Sequence, residues 1–254
     1  MRRLIIAGEN RLILREDGAS LRLPQSDEIS IPEGVETFVF DGYTAFHVES
    51  LPEIPAGFIS HGLRESWGRL PAEEFAAASK GAELLNWNAA ERYCARCGHP
   101  LERATEISKR CPECGAEWFP RLNPAIVVLV TRGEEALLVH AKTLKAGVHA
   151  LVAGFVETGE TLEECVAREI REETSLEVED IRYAGSQAWP FPYQLMVGFT
   201  ARWKSGEVRY ADGELSSGRF FRRDEVPLLP TLPSLSRRII DRWVAGELPE
   251  NAGK

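Results

Sequence analysis

GFVETGETLEECVAREIREET, running from Gly154 to Thr174, places seven glutamates beside two arginines in one short stretch. Helical periodicity decides where those carboxylates point. With residues 162–173 taken as a helix and Leu162 set at zero, a step of about 100° per residue puts Cys165, Val166 and Ile170 on one apolar arc, at roughly 300°, 40° and 80°. Glu169 and Glu173 fall at roughly 340° and 20°, in the middle of that arc, and Glu172 at its edge, at roughly 280°. Glu163, Glu164 and Arg171 project mostly toward water. Two or three carboxylates therefore occupy positions where an ordinary amphipathic helix carries leucine.

Like charges held together repel and lose hydration, and a divalent cation relieves both costs. Carboxylate oxygens are hard ligands, which favours Mg²⁺ or Mn²⁺ over zinc. The competing reading is a solvated charged face with i,i+4 pairs such as Glu164–Arg168. The angular placement favours metal.

Just upstream stand Cys94 and Cys97 in CARC, then Cys111 and Cys114 in CPEC, thirteen residues further on. Two such knuckles at this distance fit one tetrahedral Zn²⁺, with Gly98 and Gly115 placed where each knuckle turns. The alternatives are buried free thiols or a redox pair. A redox pair needs only one CxxC. Four thiolates fill the shell, so this zinc, one per subunit, is structural. His99 is then a bystander, and Cys165 a small packing residue.

Around these two motifs the chain has 254 residues and a net charge of −9, with the apolar and charged fractions of an ordinary globular protein. The acidity argues against non-specific binding of nucleic acid or membranes. No apolar run approaches a membrane span, and MRRLIIAGENRLIL reads as a first strand and not a signal peptide, so the expected compartment is the cytoplasm. LIIAG, RLIL, TFVF and TAFHV are short strands, followed by a helix over 71–87. Beyond Asn123, AIVVLVTR and EALLVHA flank a turn at Gly133-Glu134. Further strands are expected near HALVAGF, 181–186, 195–203 and 219–222, and a closing helix over 234–245. The class is α/β (α+β). The expected division is a β-rich N-terminal domain (1–90), a zinc ribbon (91–121), a third domain (122–246) and a frayed tail (247–254).

At Gly154, Glu160, Arg168, Glu169, Ile170, Glu172, Glu173 and Leu176 the chain resembles the Nudix box: a glycine, five residues, a glutamate, seven residues, then Arg-Glu-aliphatic-any-Glu-Glu-any-Gly-aliphatic. Every charged position matches. Ser175 replaces the last glycine, which ends the helix where φ > 0 is cheapest for glycine. The zinc ribbon ahead of the box, and SQAWPFPYQ (Ser186–Gln194) behind it, resemble the NADH pyrophosphatase branch, which also removes NAD caps from RNA and carries SQPWPFPxS. Here Ala188 and Gln194 depart from that pattern.

The resemblance implies an α/β/α sandwich with a mixed sheet for 122–246. It also implies metal-dependent cleavage of NAD(H) to NMN(H) and AMP, action on NAD-capped RNA, and a homodimer with no membrane partner. Carried over by position, Glu169, Glu172, Glu173 and Glu214 are the catalytic carboxylates. Glu169, Glu173, Glu214 and the Ala153 carbonyl are ligands for Mg²⁺ or Mn²⁺, and Glu207 lies too early to compete with Glu214. Arg168 orients a glutamate. The expected substrate contacts are Gln187, Ala188, Trp189, Pro190, Phe191, Pro192, Tyr193 and Gln194, where the prolines hold Phe191 on an extended segment. Phe119 and Phe155 match aromatics that sandwich the nicotinamide-side base, Ser236 a main-chain contact, and Arg64 a residue reaching the partner's pocket. For that loop alone, a rigid packed segment with Trp189 and Phe191 as core competes. Arg121, Arg219, Arg222 and Arg223 are the candidate basic surface for RNA. The alternatives kept open are ADP-ribose or a diadenosine polyphosphate as substrate, a non-catalytic nucleotide sensor, and a ribbon that binds nucleic acid.

Overall fold

The computed structural model describes residues 3–8, 11–48, 54–210 and 213–248. Most of the expected tail, 249–254, lies outside the described residues, as do Met1 and Arg2 of the first strand. The chain divides into two compact units: residues 1–122 with 190–193, and residues 123–189 with 194–254.

In the first unit β1 (Arg3–Gly8), β2 (Arg11–Asp17), β3 (Ser20–Arg22), β4 (Thr37–Phe40), β5 (Tyr43–His47) and β6 (Phe58–Gly62) form one sheet in the order β3-β2-β1-β5-β4, with β6 on β2. β1 alternates between two cores. Ile5 packs with Leu12, Phe38 and Trp87, while Leu4 and Ile6 pack with Phe46 and Phe58. A strand buried on both faces reads as the unbroken apolar run LIIA. The helix α1 (Ala72–Ala90) covers the Ile5 face and runs three residues past the expected end. A Cβ at Gly81 would stand 3.0 Å from the Ile5 side chain, so this glycine sets how closely α1 approaches β1.

The ribbon follows as β7 (Glu102–Thr105), β8 (Ser108–Arg110) and β9 (Glu117–Trp118), in that order. Lys109, only 5 % exposed, donates from Nζ to the carbonyls of Asn88 (3.0 Å) and Glu91 (2.7 Å). Those carbonyls belong to the last turn of α1, where orphan acceptors and the helix dipole favour a cation. A lysine of the ribbon thus caps the preceding helix.

The second unit is built on β10 (Asn123–Arg132) and β11 (Glu135–Ala141), with β12 (Val152–Phe155), α2 (Leu162–Thr174), β13 (Glu177–Trp189), β14 (Gln194–Ser205), β15 (Leu215–Arg222) and α3 (Leu235–Val244). The strand order is β13-β14-β10-β11-β15, with β12 pairing the first half of β10. β10 and β14 are parallel and the other pairings antiparallel, so the sheet is mixed. Along β10, Ile126, Val128 and Val130 pack with Cys165, Val166 and Ile170 of α2. Val127 and Leu129 pack with Ile239, Ile240 and Trp243 of α3. The alternation places one helix on each face, and AIVVLV is apolar throughout because neither face meets water.

Candidate active site and cysteine cluster

Thr161 starts α2 through a reciprocal cap. Its Oγ1 accepts from Glu164 N (3.2 Å), and Glu164 Oε2 accepts from Thr161 N (2.7 Å). The T-x-x-E spacing carries this cap in the sequence. It also takes Glu164 away from Arg168, so the i,i+4 pair expected of a solvated face does not form. At the far end Ser175 adopts φ 60°, ψ 20°, the left-handed turn that glycine makes in the box.

Between these ends the carboxylates differ in burial as the angular reading requires. Glu173 is 5 % exposed, the Glu169 side chain is 13 % exposed, and that of Glu172 is 54 % exposed. Arg168 ties three acids together. It meets Glu160 at 2.7 Å through two nitrogens, Glu169 at 2.9 Å and Glu172 at 3.0 Å, and donates to the Phe155 carbonyl at 2.9 Å. The hydrogen bonds from Arg168, with a second from the Glu157 N–H, hold Glu160 down to about 2. Burial pushes Glu169 the other way, above the usual carboxylate range. Arg168 opposes that shift, and the neighbouring charges of Glu172 and Glu214 add to it. A half-buried carboxylate on α2 with a raised proton affinity is one that gains from a cation.

Gly154 explains itself through Glu169. A Cβ built on Gly154 would stand 1.9 Å from the Glu169 carboxyl carbon. The glycine is needed for space and not for its own backbone angle. Next to it, Ala153 is exposed on β12, opposite Val127. Glu214 is exposed just before β15, and its carbonyl accepts from Lys142 N at 3.0 Å. Lys142 Nζ bonds the adjacent Gly213 carbonyl, which ties the Glu214 segment to the end of β11. The charge of Glu214 reaches Glu169, whereas Glu207 is paired at the surface with Arg209 at 3.6 Å. Two contributors had no role in the sequence reading of the site: Glu160, which holds Arg168 bidentately, and Lys142. Glu160 had a signal, its place in the box; Lys142 had none.

SQAWPFPYQ does not run straight. Ser186–Trp189 end β13, Pro190–Tyr193 turn, and Gln194 begins β14 opposite Trp189, so the two prolines sit in a hairpin turn and not on an extended segment. Both the Phe191–Pro192 and the Leu232–Pro233 bonds are cis. Phe191 packs against the first unit's core, with the Arg64 guanidinium 4.5 Å above its ring. This is the packed role that competed with ligand contact, and Arg64 contacts its own chain. Gln187 Nε2 donates to the Pro233 carbonyl at 3.0 Å, while its buried Oε1 has no hydrogen-bond partner. Ala188 and Pro192 are exposed; Trp189, Tyr193 and Gln194 are half-buried. Ser236 Oγ accepts from Leu151 N at 3.1 Å, a side-chain duty that fixes α3 to the start of β12. Phe119 in the first unit and Phe155 in the second are each about half exposed, at 54 % and 51 %. All four arginines named as a basic surface are in ion pairs: Arg121 with Glu91, Arg219 with Glu225, Arg222 with Asp224 and Arg223 with Glu134.

The sulfurs of Cys94, Cys97, Cys111 and Cys114 all lie within 4.8 Å of one another, with Cys94–Cys114 at 3.6 Å and Cys97–Cys111 at 3.4 Å. Zn–S bonds of about 2.3 Å imply a tetrahedron edge of about 3.8 Å, so the four sulfurs fit that ion. The two knuckles repeat each other. Cys94 N donates to His99 O and Gly98 N to Cys94 O; Cys111 N donates to Ala116 O and Gly115 N to Cys111 O. Gly98 (φ 78°) and Gly115 (φ 70°) supply the left-handed turns. His99 takes part through its carbonyl, and Cys165 is buried in the α2 core with its thiol pushed up to about 12 by burial. Among the described residues this is the one group of three or more such ligand atoms that close together.

Comparison with known proteins matches residues 121–243 to the NUDIX domain and residues 89–119 to the NADH pyrophosphatase zinc ribbon domain. A protein of Stutzerimonas stutzeri named NAD-capped RNA hydrolase NudC is 38 % identical over 82 % of this chain and 76 % of its own length. Proteins of the same name from Chromobacterium violaceum and Pseudomonas aeruginosa are 41 % and 40 % identical, over 70 % and 68 % of this chain and 68 % and 63 % of theirs. A solved NUDIX hydrolase from Nitrosomonas europaea covers 53 % of this chain and 80 % of its own, at 25 % identity and a TM-score of 0.46.

Proposed function

Because the chain belongs to the Nudix family, in the branch that carries the NADH pyrophosphatase zinc ribbon, we propose that it hydrolyses the pyrophosphate of NAD(H) and removes NAD caps from RNA. Water adds to one phosphorus, the P–O–P bridge breaks, and NADH gives NMNH and AMP. The observation that carries this reading is on α2: a buried Glu173 one turn from a Glu169 that is half-buried, raised in proton affinity and held by Arg168.

The donor set fits Mg²⁺ or Mn²⁺: Glu169, Glu173, Glu214 and the Ala153 carbonyl are all oxygens. These residues would hold the cation, which when bound would supply charge neutralisation of the phosphates and a lowered pKa of its water. Arg168 keeps Glu169 and Glu172 oriented. Glu172, the most exposed of the three, takes the proton of the attacking water. Phe119 and Phe155 each offer an open ring face to a base. The segment Gln187–Gln194 is assigned to the ligand contacts, with Ser236 as a further contact and Arg64 as the residue reaching the partner's pocket. The cysteines hold a structural Zn²⁺. We place the domain boundaries after residues 90, 121 and 246, and assign a cytoplasmic homodimer. Among the described residues no helix is long and apolar enough to cross a membrane.

The test is a product assay with NADH, NAD⁺, ADP-ribose and NAD-capped RNA, in Mg²⁺ or Mn²⁺. Release of NMN(H), reduced more than about 100-fold in Glu173→Gln at unchanged fold, is the expected result. Cleavage of ADP-ribose alone would reassign the substrate. No cleavage of any would leave a binding role.

A further inference from the structure

The four arginines expected to meet RNA are ion-paired, and all but two of the described lysines and arginines of the first unit are engaged as well. Arg3, Arg22, Arg69, Lys80, Arg110 and Arg121 have carboxylates. Arg11, Arg103 and Lys109 hold carbonyls, and Arg15 and Arg64 lie over phenylalanine rings. Arg92 and Arg96 are the two exceptions among the described residues. Both are exposed, and both lie in the first knuckle of the ribbon.

Between them in sequence stands Tyr93, 63 % exposed although its backbone is pinned by a bridge to Pro100. Leu101 N bonds the Arg92 carbonyl at 3.0 Å and Cys94 N bonds His99 O at 2.8 Å, so the stretch is rigid. Glu91, the neighbour of Arg92 in sequence, is occupied by Arg121 and by Trp87 Nε1, and Glu117 by Arg110. An open aromatic side chain flanked in sequence by two exposed arginines, on a backbone that costs little ordering, is the chemistry that holds single-stranded nucleic acid: phosphates on the cations, a base on the ring.

We propose that Arg92, Tyr93 and Arg96 bind the single-stranded RNA that follows the cap, and so favour capped RNA over the free dinucleotide. This rests on the capped-RNA reading above. The rival role for the two arginines is to offset the charge of four thiolates on one zinc, which would make them part of the ribbon's own stability.

The experiment compares the wild-type protein with R92S/R96S and with Tyr93→Ser, on NADH and on NAD-capped RNAs of increasing length. Zinc content is measured alongside. On the longer RNAs, R92S/R96S is expected to lose at least fivefold in kcat/KM, with NADH turnover and zinc unchanged. The slope of log kcat/KM against log salt should become shallower by about 1.4, which is two phosphate contacts on a single strand at about 0.7 each. Tyr93→Ser should lose activity on RNA without changing that slope. Equal losses on NADH and RNA, or a loss of zinc, would overturn the proposal in favour of the thiolate-balancing role. An unchanged RNA rate and slope would overturn it outright. If the wild-type protein cleaves NADH but no capped RNA, the capped-RNA reading itself fails. Anisotropy with an uncapped single-stranded oligonucleotide then decides the surface: binding lost in R92S/R96S supports it, and no binding by the wild-type protein ends it.

Discussion

In the ribbon, four sulfurs stand within 4.8 Å of one another, each knuckle wrapped by the same backbone hydrogen bonds. Along α2 Glu173 is 5 % exposed and the Glu172 side chain 54 %, and Arg168 joins Glu169 and Glu172 to Glu160, just ahead of the helix. Both regions collect groups that become like charges, but they relieve the repulsion differently. The ribbon is closed: four ligands converge and leave no position for a substrate, as a structural zinc requires. The helix is open: Arg168 offsets part of its charge, and its acids run from the buried Glu173 to the exposed Glu172, the arrangement that the proposed cation would use. A closed set should be worth stability and little chemistry, an open set the reverse.

The largest expected effect breaks the comparison on the stability side. Cys111→Ser, or removal of zinc by a strong chelator, should abolish the bound zinc and cost several kcal/mol in the first unit, because a ribbon this small has no apolar core to replace the ion. Hydrogen exchange should rise over 92–118 and stay protected over 125–130, whose burial is supplied by α2 and α3. Equal deprotection of both segments would show that the ribbon is not a separable source of stability.

Gly154→Ala tests the opposite side. Its Cβ must displace the Glu169 carboxylate, the far end of a flexible side chain, so the fold has an easy escape and the site does not. Activity should fall about 10- to 100-fold, with the melting temperature nearly unmoved. A large loss of stability with proportionate activity would instead make Gly154 a packing residue.

The two regions also differ in how far they could be read from sequence. Four cysteines at knuckle spacing leave one economical arrangement, and the structure has it. The placement of Glu169 and Glu173 followed from periodicity, because α2 is regular from its Thr161 cap to Ser175. Legibility failed where partners are distant. The short strand β6 pairs β2 from far along the chain, Leu14 against Ile59, and no local pattern announces that. In SQAWPFPYQ the prolines suggested extension, while the pairing of Trp189 with Gln194 demanded a turn. The arginines proposed for RNA looked free because their acidic partners were not all neighbours in sequence. Arg121 finds Glu91, and Arg223 finds Glu134, only through the fold.

Ser175→Gly gives the smallest expected effect and sharpens the comparison most finely. A serine at φ 60° carries a backbone cost of roughly 1–2 kcal/mol that glycine avoids. Glycine returns up to about 1 kcal/mol of that through greater freedom in the unfolded chain. The net gain is about 0.5 kcal/mol, or roughly 1–2 °C in melting temperature for a chain of this size. The surroundings permit little else to move: a Cβ at Gly206 would stand 2.7 Å from the Ser175 carbonyl, so the turn is packed in place whichever residue fills it. Thermal unfolding and turnover measured together make the distinction. A stabilised variant with unchanged kcat shows that Ser175 is only a strained way to end α2. A stabilised variant that is slower would mean that the strain at the end of the helix helps set the carboxylates above it.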